Sequence, residues 1–306
     1  MRFYREKCLA VFMEKIDDWL PSIMIQKLLF LLCDSQDNKI YDFMPYKYGC
    51  YSMQLSQDLR NLVKDGYLLC EEDGSSHKYK ISRNDLCLKK LIDEEDNLII
   101  NKIIRRYGDL QKNDLIKHIY LNYPFFAINS VMAKELLSEN ELLNIIRHRP
   151  HNEEKTLMTI GYEGLSLENY MVILIKNDVH VLCDVRKNAY SQKFGFSKAQ
   201  LEKACEGTKI KYIHLPNLGI VTEKRKDLKD QSDYDILFNE YETTTLLEAK
   251  DELNYLYKLL QKENRIALTC FEKDPKQCHR SRIAKQLMSI PQCNYTLKNL
   301  RINGED

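Results

Sequence analysis

Four segments of the chain place acidic, basic, histidine and cysteine side chains directly after stretches that are apolar enough to be buried strands. The segments span residues 161–164, 184–186, 214–219 and 270–280. Because the carboxyl ends of parallel strands share one edge of a sheet, where ligands bind, we expect these segments to meet there. The polar residues of this predicted site are Asp184, Arg186, His214, Glu272, Cys278, His279 and Arg280.

Asp184 and Arg186 flank Val185, so both side chains point to the same side of a strand. Such a pair has two possible roles, and the sequence leaves both open. Either the arginine binds an anionic ligand while the carboxylate orients it, or the two form a structural ion pair at the end of a strand. His214 ends another predicted strand. It is either an acid, base or donor of the site or a structural histidine.

Cys278, His279 and Arg280 stand at the predicted N-terminus of the last helix. Backbone N–H groups at such a position favour anions and lower the pKa of a thiol. Cys278 is therefore a candidate nucleophile. In the alternative, which we favour, Cys278 packs while Arg280 and the helix end bind an anionic ligand. Glu272, together with Asp184, could polarise water.

Standard signatures of several site types are missing from the sequence. No C-x-x-C pair exists, and the cysteine, histidine and aspartate spacing fits no standard zinc pattern, so we predict no metal site and no cofactor. There is no G-x-G-x-x-G, Walker, G-x-S-x-G or H-E-x-x-H motif. Residue 276 is lysine, so Cys270 does not begin a phosphatase C-x5-R loop. A nicotinamide enzyme, a P-loop NTPase and a cysteine phosphatase are therefore disfavoured.

Strands and helices alternate in the second half, and this alternation predicts how the site is built. Strands are predicted at 156–160, 179–183, 210–214 and 265–270, and helices after Ser166 and over 197–206, 244–262 and 279–288. A polar loop is predicted at about 216–235. This pattern predicts an α/β, Rossmann-like domain in which helices cover the faces of a parallel sheet.

The first half is mostly helical in pattern. An apolar helix is predicted over 22–33 after Pro21, and Ser52 is predicted to cap the next helix. The buried stripe of that second helix is Leu55, Leu59, Leu62 and Val63. A strand, an Asp73-Gly74 turn and another strand follow. Helix, helix and hairpin in this order are typical of a winged helix-turn-helix.

A winged helix of this kind could contact DNA. The candidate nucleic-acid-binding residues are Gln54, Gln57, Arg60, Asn61, Lys64, Lys78 and Lys80. Acidic residues 71–73 at the tip of the hairpin weaken the prediction that the wing clamps phosphate. The alternative is that this domain binds a protein partner or forms a homodimer.

Composition limits the classes of function further. A chain of 306 residues suggests two domains, predicted as 1–148 and 155–306 on either side of a polar segment. Lys and Arg number 46 against 45 Asp and Glu, so any nucleic-acid surface must be a local patch. No apolar run is long enough for a membrane helix, and the N-terminus has no signal-peptide pattern. Ten cysteines without C-x-x-C predict a reducing, cytoplasmic compartment and mostly buried thiols.

The second half contains four motifs that resemble a known family. They are Thr159-Ile160-Gly161, Asp184-Val185-Arg186, Tyr212-Ile213-His214 with Leu218-Gly219, and Glu272 with Cys278-His279-Arg280. Through them, residues 155–290 resemble the family named domain of unknown function 488. The resemblance implies a Rossmann-like domain and no established common reaction. Many relatives have Ser or Asn where this chain has Glu163. The candidate ligand-binding residues are Gly161, Tyr162, Glu163, Arg186, Tyr212, Gly219 and Arg280.

The first half contains KLLFLL at 27–32, FMPYKYGCYS at 43–52, LSQDLRNLVKDGYL at 55–68 and HIYLNYPFFA at 118–127. In these segments, residues 5–135 resemble the SocA-like, or Panacea-type, antitoxin family. The family usually has Gly-Pro where this chain has Gly49-Cys50. The resemblance implies an antitoxin, or a DNA-associated or partner-binding module.

Two functions of different classes fit these features. The first is a hydrolase that cuts an N-glycosidic or phosphodiester bond in a nucleotide or in nucleic acid, expected to be DNA. In this hypothesis, Arg186 and Arg280 hold phosphate. Asp184 or Glu272 orients water, and His214 or His279 carries the proton. Four aromatic residues stack on a base or belong to the core: Tyr162, Tyr190, Phe194 and Phe196. A phage-defence or mobile-element setting suits this pairing of domains by analogy.

The second function is a non-catalytic, DNA-binding and antitoxin-like regulator whose α/β domain senses a small anionic ligand. Thiol chemistry at Cys278 is a third hypothesis. Turnover separates the first function from the second, because a sensor binds its ligand without consuming it.

Overall fold

The computed structural model describes residues 1–74, 76–82, 88–225, 228–291 and 293–301. The chain divides into two compact units, Met1–Arg149 and Pro150–Asp306. Within the described ranges, no helix combines the length and the apolar character that crossing a membrane requires. Seven of the nine described cysteines are buried, which confirms the prediction of mostly buried thiols, and Cys87 lies outside the described residues.

The N-terminal unit is mostly helical and contains two small sheets. In chain order its elements are α1 (Tyr4–Ile16), β1 (Leu20–Pro21), α2 (Ser22–Asp34), β2 (Met44–Tyr46), β3 (Gly49–Tyr51), α3 (Met53–Lys64), β4 (Leu68–Asp73), β5 (Ser76–Ile81), a 3-10 turn (Leu88–Leu91), α4 (Glu94–Tyr107), α5 (Lys112–Asn122), α6 (Pro124–Ala127), α7 (Ala133–Leu136) and α8 (Glu139–Arg147). One sheet has the order β1-β5-β4, and β2 pairs with β3 in the other. All of these pairings are antiparallel.

The predicted helices and hairpin of this unit are present. Helix α2 is buried from Met24 to Cys33, as its continuous apolar run predicts. Helix α3 begins after Ser52, whose hydroxyl accepts a hydrogen bond from the Leu55 amide at 3.2 Å. The predicted hairpin is the pair β4–β5, and Ser75 in its turn lies outside the described residues.

A buried carboxylate joins α1 to α3. The Asp58 side chain is fully buried, and its Oδ2 accepts hydrogen bonds from Arg5 Nε at 2.6 Å and from the Tyr41 hydroxyl at 3.0 Å. Gln54 Nε2 donates to Oδ1 at 2.8 Å. Burial of a charge is tolerated because these donors replace the water that the carboxylate loses.

The C-terminal unit is an α/β domain. In chain order its elements are β6 (Thr156–Gly161), α9 (Leu167–Lys176), β7 (Val181–Asp184), α10 (Lys198–Thr208), β8 (Lys211–His214), 3-10 turns at Pro216–Leu218 and Thr222–Arg225, α11 (Gln231–Thr243), α12 (Thr245–Glu248), α13 (Lys250–Glu263), β9 (Arg265–Cys270), a 3-10 turn at Pro275–Gln277, α14 (His279–Met288) and β10 (Thr296–Leu300). The sheet has the order β10-β6-β9-β7-β8, and every pairing is parallel. The predicted Rossmann-like α/β fold is confirmed.

The predicted loop at about 216–235 and helix at 244–262 were partly wrong. Helix α11 begins at Gln231, because Asp230 accepts hydrogen bonds from the amides of Ser232 and Asp233 and caps it. The next helix is interrupted at Ala249, between α12 and α13. Residues 226–227 of the predicted loop lie outside the described residues.

Strand β10 was not predicted from the sequence. Four of its five residues are exposed, because it lies at the edge of the sheet beside β6. An edge strand needs neither the apolar run nor the strict alternation by which the four other strands were found.

Candidate active site at the carboxyl edge of the sheet

The structure brings the four predicted segments together at the carboxyl ends of β6, β7, β8 and β9. His279 Nε2 donates a hydrogen bond to the Val185 carbonyl at 2.8 Å, which joins the segments at 184–186 and 270–280. The Lys273 amide donates to Glu163 Oε2 at 2.9 Å. The Leu215 amide donates to the Asp184 carbonyl at 2.8 Å.

Two glycines allow these loops to approach one another. A Cβ atom on Gly161 would lie 1.8 Å from the Glu272 carbonyl oxygen, and one on Gly219 would lie 2.0 Å from the Lys187 nitrogen. Any larger residue at either position would separate the loops. The structure therefore gives both glycines a role in packing backbone against backbone.

Asp184 and Arg186 form a closed ion pair. Arg186 Nε and Nη2 donate to the two carboxylate oxygens of Asp184 at 2.8 and 2.6 Å. Arg186 Nη1 donates to the Tyr162 hydroxyl and to the Phe196 carbonyl, and the Tyr212 hydroxyl donates to Asp184 Oδ2 at 2.7 Å. Asp184 is fully buried. The sequence left two alternatives open for this pair. The geometry favours a structural ion pair over an arginine that binds an anionic ligand.

Arg280 is also turned inward, with 1% of its surface exposed. Its Nη1 donates to the Glu272 carbonyl at 2.5 Å and its Nη2 to the Lys273 carbonyl at 3.1 Å. Its Nε donates to the Thr159 hydroxyl at 3.3 Å. Arg280 thus fixes the loop after β9 against β6. His214 is half-buried, and its Nε2 donates to the Arg186 carbonyl at 2.9 Å.

A buried cluster of two cysteines and one histidine lies behind Glu272. The Sγ atoms of Cys270 and Cys278 and one ring nitrogen of His279 lie within 4.8 Å of one another. Cys270 Sγ lies 3.7 Å from His279 Nδ1 and 3.3 Å from Glu272 Oε2. Burial opposes ionisation of Cys278, but hydrogen bonds with Cys270 and His279 and the charge of Arg280 hold its pKa well below the usual range.

Arg225 is one of the site residues that were not predicted from the sequence. Its Nη1 donates to Glu272 Oε1 at 2.6 Å and its Nη2 to His279 Nδ1 at 3.1 Å. The side chains of Arg225 and Glu272 are 22% and 17% exposed, so the pair lies between the buried cluster and solvent. Burial, and then the charge of Cys278, raise the pKa of Glu272, whereas Arg225 opposes this shift. The only sequence signal for Arg225 was the basic run 224–226 in the predicted loop.

A basic rim surrounds this site. Lys187, Lys273 and Lys276 are exposed. Lys187 and Lys224 line a cleft of about 220 Å³ that Tyr241 also lines. The rings of Tyr241 and His279 have their centroids 5.7 Å apart, so the cleft borders the cysteine and histidine cluster. Glu240 and Glu248 line the same cleft, and Lys224 Nζ donates to Glu240 Oε1 at 2.6 Å, so the cleft contains charges of both signs. Exposed Lys187 is the cation there that suits an anionic ligand.

The predicted aromatic residues have different environments. The rings of Tyr162 and Phe196 are buried and stack on each other, with centroids 4.3 Å apart. They belong to the core, which is one of the two alternatives for them. Tyr190 is 72% exposed, and Phe194 is half-buried.

The candidate nucleic-acid-binding residues lie in the N-terminal unit. Arg60 and Lys64 are exposed on α3, and Gln57 and Asn61 are half-buried beside them. Arg60 Nη2 donates to Gln57 Oε1, and Gln57 Nε2 donates to Asn61 Oδ1. Gln54 donates to buried Asp58, while Lys78 and Lys80 are half-buried on β5.

Comparison with models of known protein families gives a match in the C-terminal unit. No curated protein matches the chain. The match covers residues 166–287, from the N-cap of α9 onward. It includes Asp184, Arg186, Glu272 and the 278–280 segment, but not Gly161. The predicted resemblance of the C-terminal half is thus confirmed for residues 166–287, which match the model of the family described as Domain of unknown function DUF488.

Proposed function

We propose that the C-terminal unit is a hydrolase that cuts an N-glycosidic or phosphodiester bond in a nucleotide or in nucleic acid. The observation that carries this proposal is the contact of Arg225 with both Glu272 and His279. This contact places a carboxylate that can transfer a proton beside a cation that can stabilise phosphate charge. A cleft lined by Lys187 lies nearby, because Tyr241 lines it and packs against His279.

Glu272 is the acid–base group of this proposal. Its side chain is 17% exposed, and Arg225 Nη1 fixes the orientation of the carboxylate at 2.6 Å. It takes a proton from a water molecule as that water attacks the anomeric carbon or the phosphorus atom. The leaving base or alcohol then takes up a proton, so the two products and one consumed water balance.

We assign the phosphate contacts to residues other than Arg186 and Arg280, which were predicted from the sequence. Arg186 and Arg280 have internal partners at the distances given above, so they position the loops. Lys187 is exposed and lines the cleft, so it is the first cation that we assign to substrate phosphate. Lys224 and Arg225 are paired with Glu240 and Glu272, and they contact a substrate only by exchanging these partners. Asp184 and Tyr212 act with Arg186 as positioning residues.

The test is incubation of the full chain with modified and unmodified DNA, RNA and nucleotides, with products identified by mass spectrometry. Glu272→Gln should abolish turnover and retain binding. Glu202→Gln, an exposed carboxylate on α10, is the matched control and should leave turnover unchanged. Binding of a nucleotide without any product, by the unaltered chain, would instead support the non-catalytic sensor.

For the N-terminal unit we propose a winged helix of the SocA-like kind that binds DNA through α3. Support comes from the order α1, β1, α2, α3, β4, β5, into which the β2–β3 pair is inserted between α2 and α3. The position of β5 between β1 and β4 is also the arrangement of winged helices. Arg60 and Lys64 supply exposed cations on α3. Exposed Glu71 and Glu72 on β4 argue against phosphate contacts by the hairpin tip. A protein partner or a second copy of the chain is the alternative occupant of this surface.

A further inference from the structure

We infer that Cys270, Cys278 and His279 bind one divalent metal ion of the zinc class, with the fourth ligand position next to Glu272. The binding site itself does not depend on the proposed hydrolase function. Among the described residues, these three form the group whose sulfur and nitrogen atoms are close enough together to share an ion.

The distances fit tetrahedral coordination. Zinc–sulfur bonds of about 2.3 Å and zinc–nitrogen bonds of about 2.0 Å place neighbouring sulfur and nitrogen ligands roughly 3.5 Å apart in a tetrahedron. Cys270 Sγ and His279 Nδ1 are 3.7 Å apart. All three ligand atoms lie within 4.8 Å of one another, so movements on the order of 1 Å bring the whole set to this spacing.

His279 presents the correct nitrogen to the sulfur atoms. A carbonyl oxygen only accepts hydrogen bonds, so the contact of His279 Nε2 with the Val185 carbonyl at 2.8 Å requires the proton on Nε2. Nδ1 then has a lone pair directed at Cys270 and Arg225. A backbone carbonyl that holds the second ring nitrogen of a histidine is the usual outer partner of a zinc ligand.

The charges around the cluster balance a divalent ion. Binding forms two metal–sulfur bonds and one metal–nitrogen bond, and the thiol protons pass to solvent. The two thiolates neutralise the ion, while Arg225 neutralises Glu272. An ion enters from the side of Arg225, which is partly exposed, and replaces the hydrogen bond from its guanidinium to His279 Nδ1.

Two thiolates and one imidazole leave one tetrahedral position open. Sites with three protein ligands and an open position are catalytic in type, because water bound there loses a proton more readily. Glu272 Oε2 lies 3.3 Å from Cys270 Sγ, so its carboxylate is close enough to contact water bound at that position. This last role, supply of an activated water to Glu272, rests on the proposed hydrolase function.

Cobalt substitution tests the metal site without reference to turnover. The full chain, stripped of metal with a chelator under reducing conditions, is titrated with Co²⁺ alone and then with Zn²⁺. We expect one equivalent to bind, with near-ultraviolet sulfur-to-cobalt bands and the visible spectrum of tetrahedral cobalt, and Zn²⁺ to displace it. X-ray absorption of the zinc form should show two sulfur ligands and one imidazole.

Variants identify the ligands. Cys278→Ala and His279→Gln should each weaken binding by more than the roughly 10–100-fold loss typical of outer-shell partners. Arg225→Ala should tighten binding, because a competing hydrogen-bond donor is removed, and a merely structural role of the cluster predicts no such gain. Cys183→Ala and Cys205→Ala, also fully buried in this unit, are the controls and should bind as the unaltered chain does.

Three results would overturn the inference: no cobalt bands in a folded chain, an unchanged cobalt spectrum in His279→Gln, or a Cys270–Cys278 disulfide in place of the ion. If Cys278→Ala does not fold, His279→Gln and Arg225→Ala still decide the question. Metal binding without turnover would reject only the hydrolase, and turnover that is indifferent to chelator would reject only the metal.

Discussion

Arg225 and Glu272 lie 47 positions apart in the chain, yet Arg225 Nη1 donates to Glu272 Oε1 at 2.6 Å. The same guanidinium reaches His279 Nδ1. Arg225 belongs to a 3-10 turn that follows β8, and Glu272 follows β9, so the contact joins loops from two strands of one sheet. A single residue thus orients both the carboxylate and the imidazole of the proposed active site.

Arg225→Lys is expected to reduce turnover while preserving the charge. A lysine ammonium cannot reproduce the forked geometry that reaches two partners, and misplacement of a catalytic group by about 1 Å can cost on the order of 100-fold in rate. The measurement is kcat on the substrate found by mass spectrometry. Arg282→Lys on α14, a partly exposed arginine paired with Asp235 and Glu242, is the control. Equal kcat values for Arg225→Lys and the unaltered chain would contradict a positioning role.

Asp184→Asn is expected to destabilise the C-terminal unit strongly. It leaves the buried guanidinium of Arg186 without its counter-charge, and breaking a buried pair in this way costs about 3–5 kcal/mol. Urea unfolding of the full chain, followed by probes in the C-terminal unit, measures the loss. Tyr212→Phe removes one neutral donor to the same carboxylate and should cost less, about 1.5–3 kcal/mol. Comparable losses in the two variants would argue against an ion pair that stabilises the loops.

The sheet and the meeting of its loops could be predicted from the sequence because both follow from local patterns. Buried strands have continuous apolar runs, and a parallel sheet brings their carboxyl ends to one edge. The partners of Asp184 and Arg186 could not be predicted, because closure of the pair depends on Tyr162, Phe196 and other residues far away in sequence.

The role of Arg225, and the approach of Cys270 to the predicted residues Cys278 and His279, could not be predicted for a different reason. The position of Arg225 depends on the path of a polar segment that lacks periodicity, so no spacing rule places it. Cys270 ends a strand, whereas Cys278 precedes a helix, and their separation matches no standard zinc spacing. Only the fold of the intervening loop brings their sulfur atoms together.

Gly161→Ala should displace the loop that contains Glu272. The added Cβ would lie 1.8 Å from the Glu272 carbonyl oxygen, and such overpacking is expected to cost about 3 kcal/mol or more. Gly164→Ala, three residues later, is the matched control. Nothing lies within 4 Å of its Cβ, so it should cost only the roughly 1–2 kcal/mol of a left-handed backbone. Substrate binding should be lost in Gly161→Ala and kept in Gly164→Ala. Loss of binding in Gly164→Ala alone would refute the role of Gly161 in positioning the loop that contains Glu272.

Lys27→Met should stabilise the N-terminal unit at neutral pH. Lys27 is buried, its Nζ donates to the Cys50 carbonyl at 2.8 Å, and desolvation lowers its pKa from 10.5. The unfolded chain therefore holds this proton more tightly than the folded one, so the stability of the unaltered protein rises with pH up to about 10.5.

The advantage of methionine should be on the order of 1 kcal/mol at pH 7, because replacing a buried charge with a similar apolar volume is often stabilising. This advantage should shrink as the pH approaches 10.5, the pKa of a free lysine. Urea unfolding of both proteins at several pH values measures the difference. Lys39→Met, at an exposed position, should show no such trend. A Lys27→Met difference that does not change with pH would reject the explanation by desolvation.

Binding of DNA by α3 predicts a specific dependence on salt. Each lysine or arginine that neutralises a phosphate releases counterions, so Arg60→Ala and Lys64→Ala should each reduce the slope of log affinity against log salt concentration by about 1. Fluorescence anisotropy with labelled duplex DNA at several salt concentrations gives these slopes. Lys102→Ala, at an exposed position on α4 of the same unit, should leave the slope unchanged. If both α3 variants keep the original slope but alter self-association, the surface binds a second copy of the chain, because protein contacts on this helix do not depend on phosphate counterions.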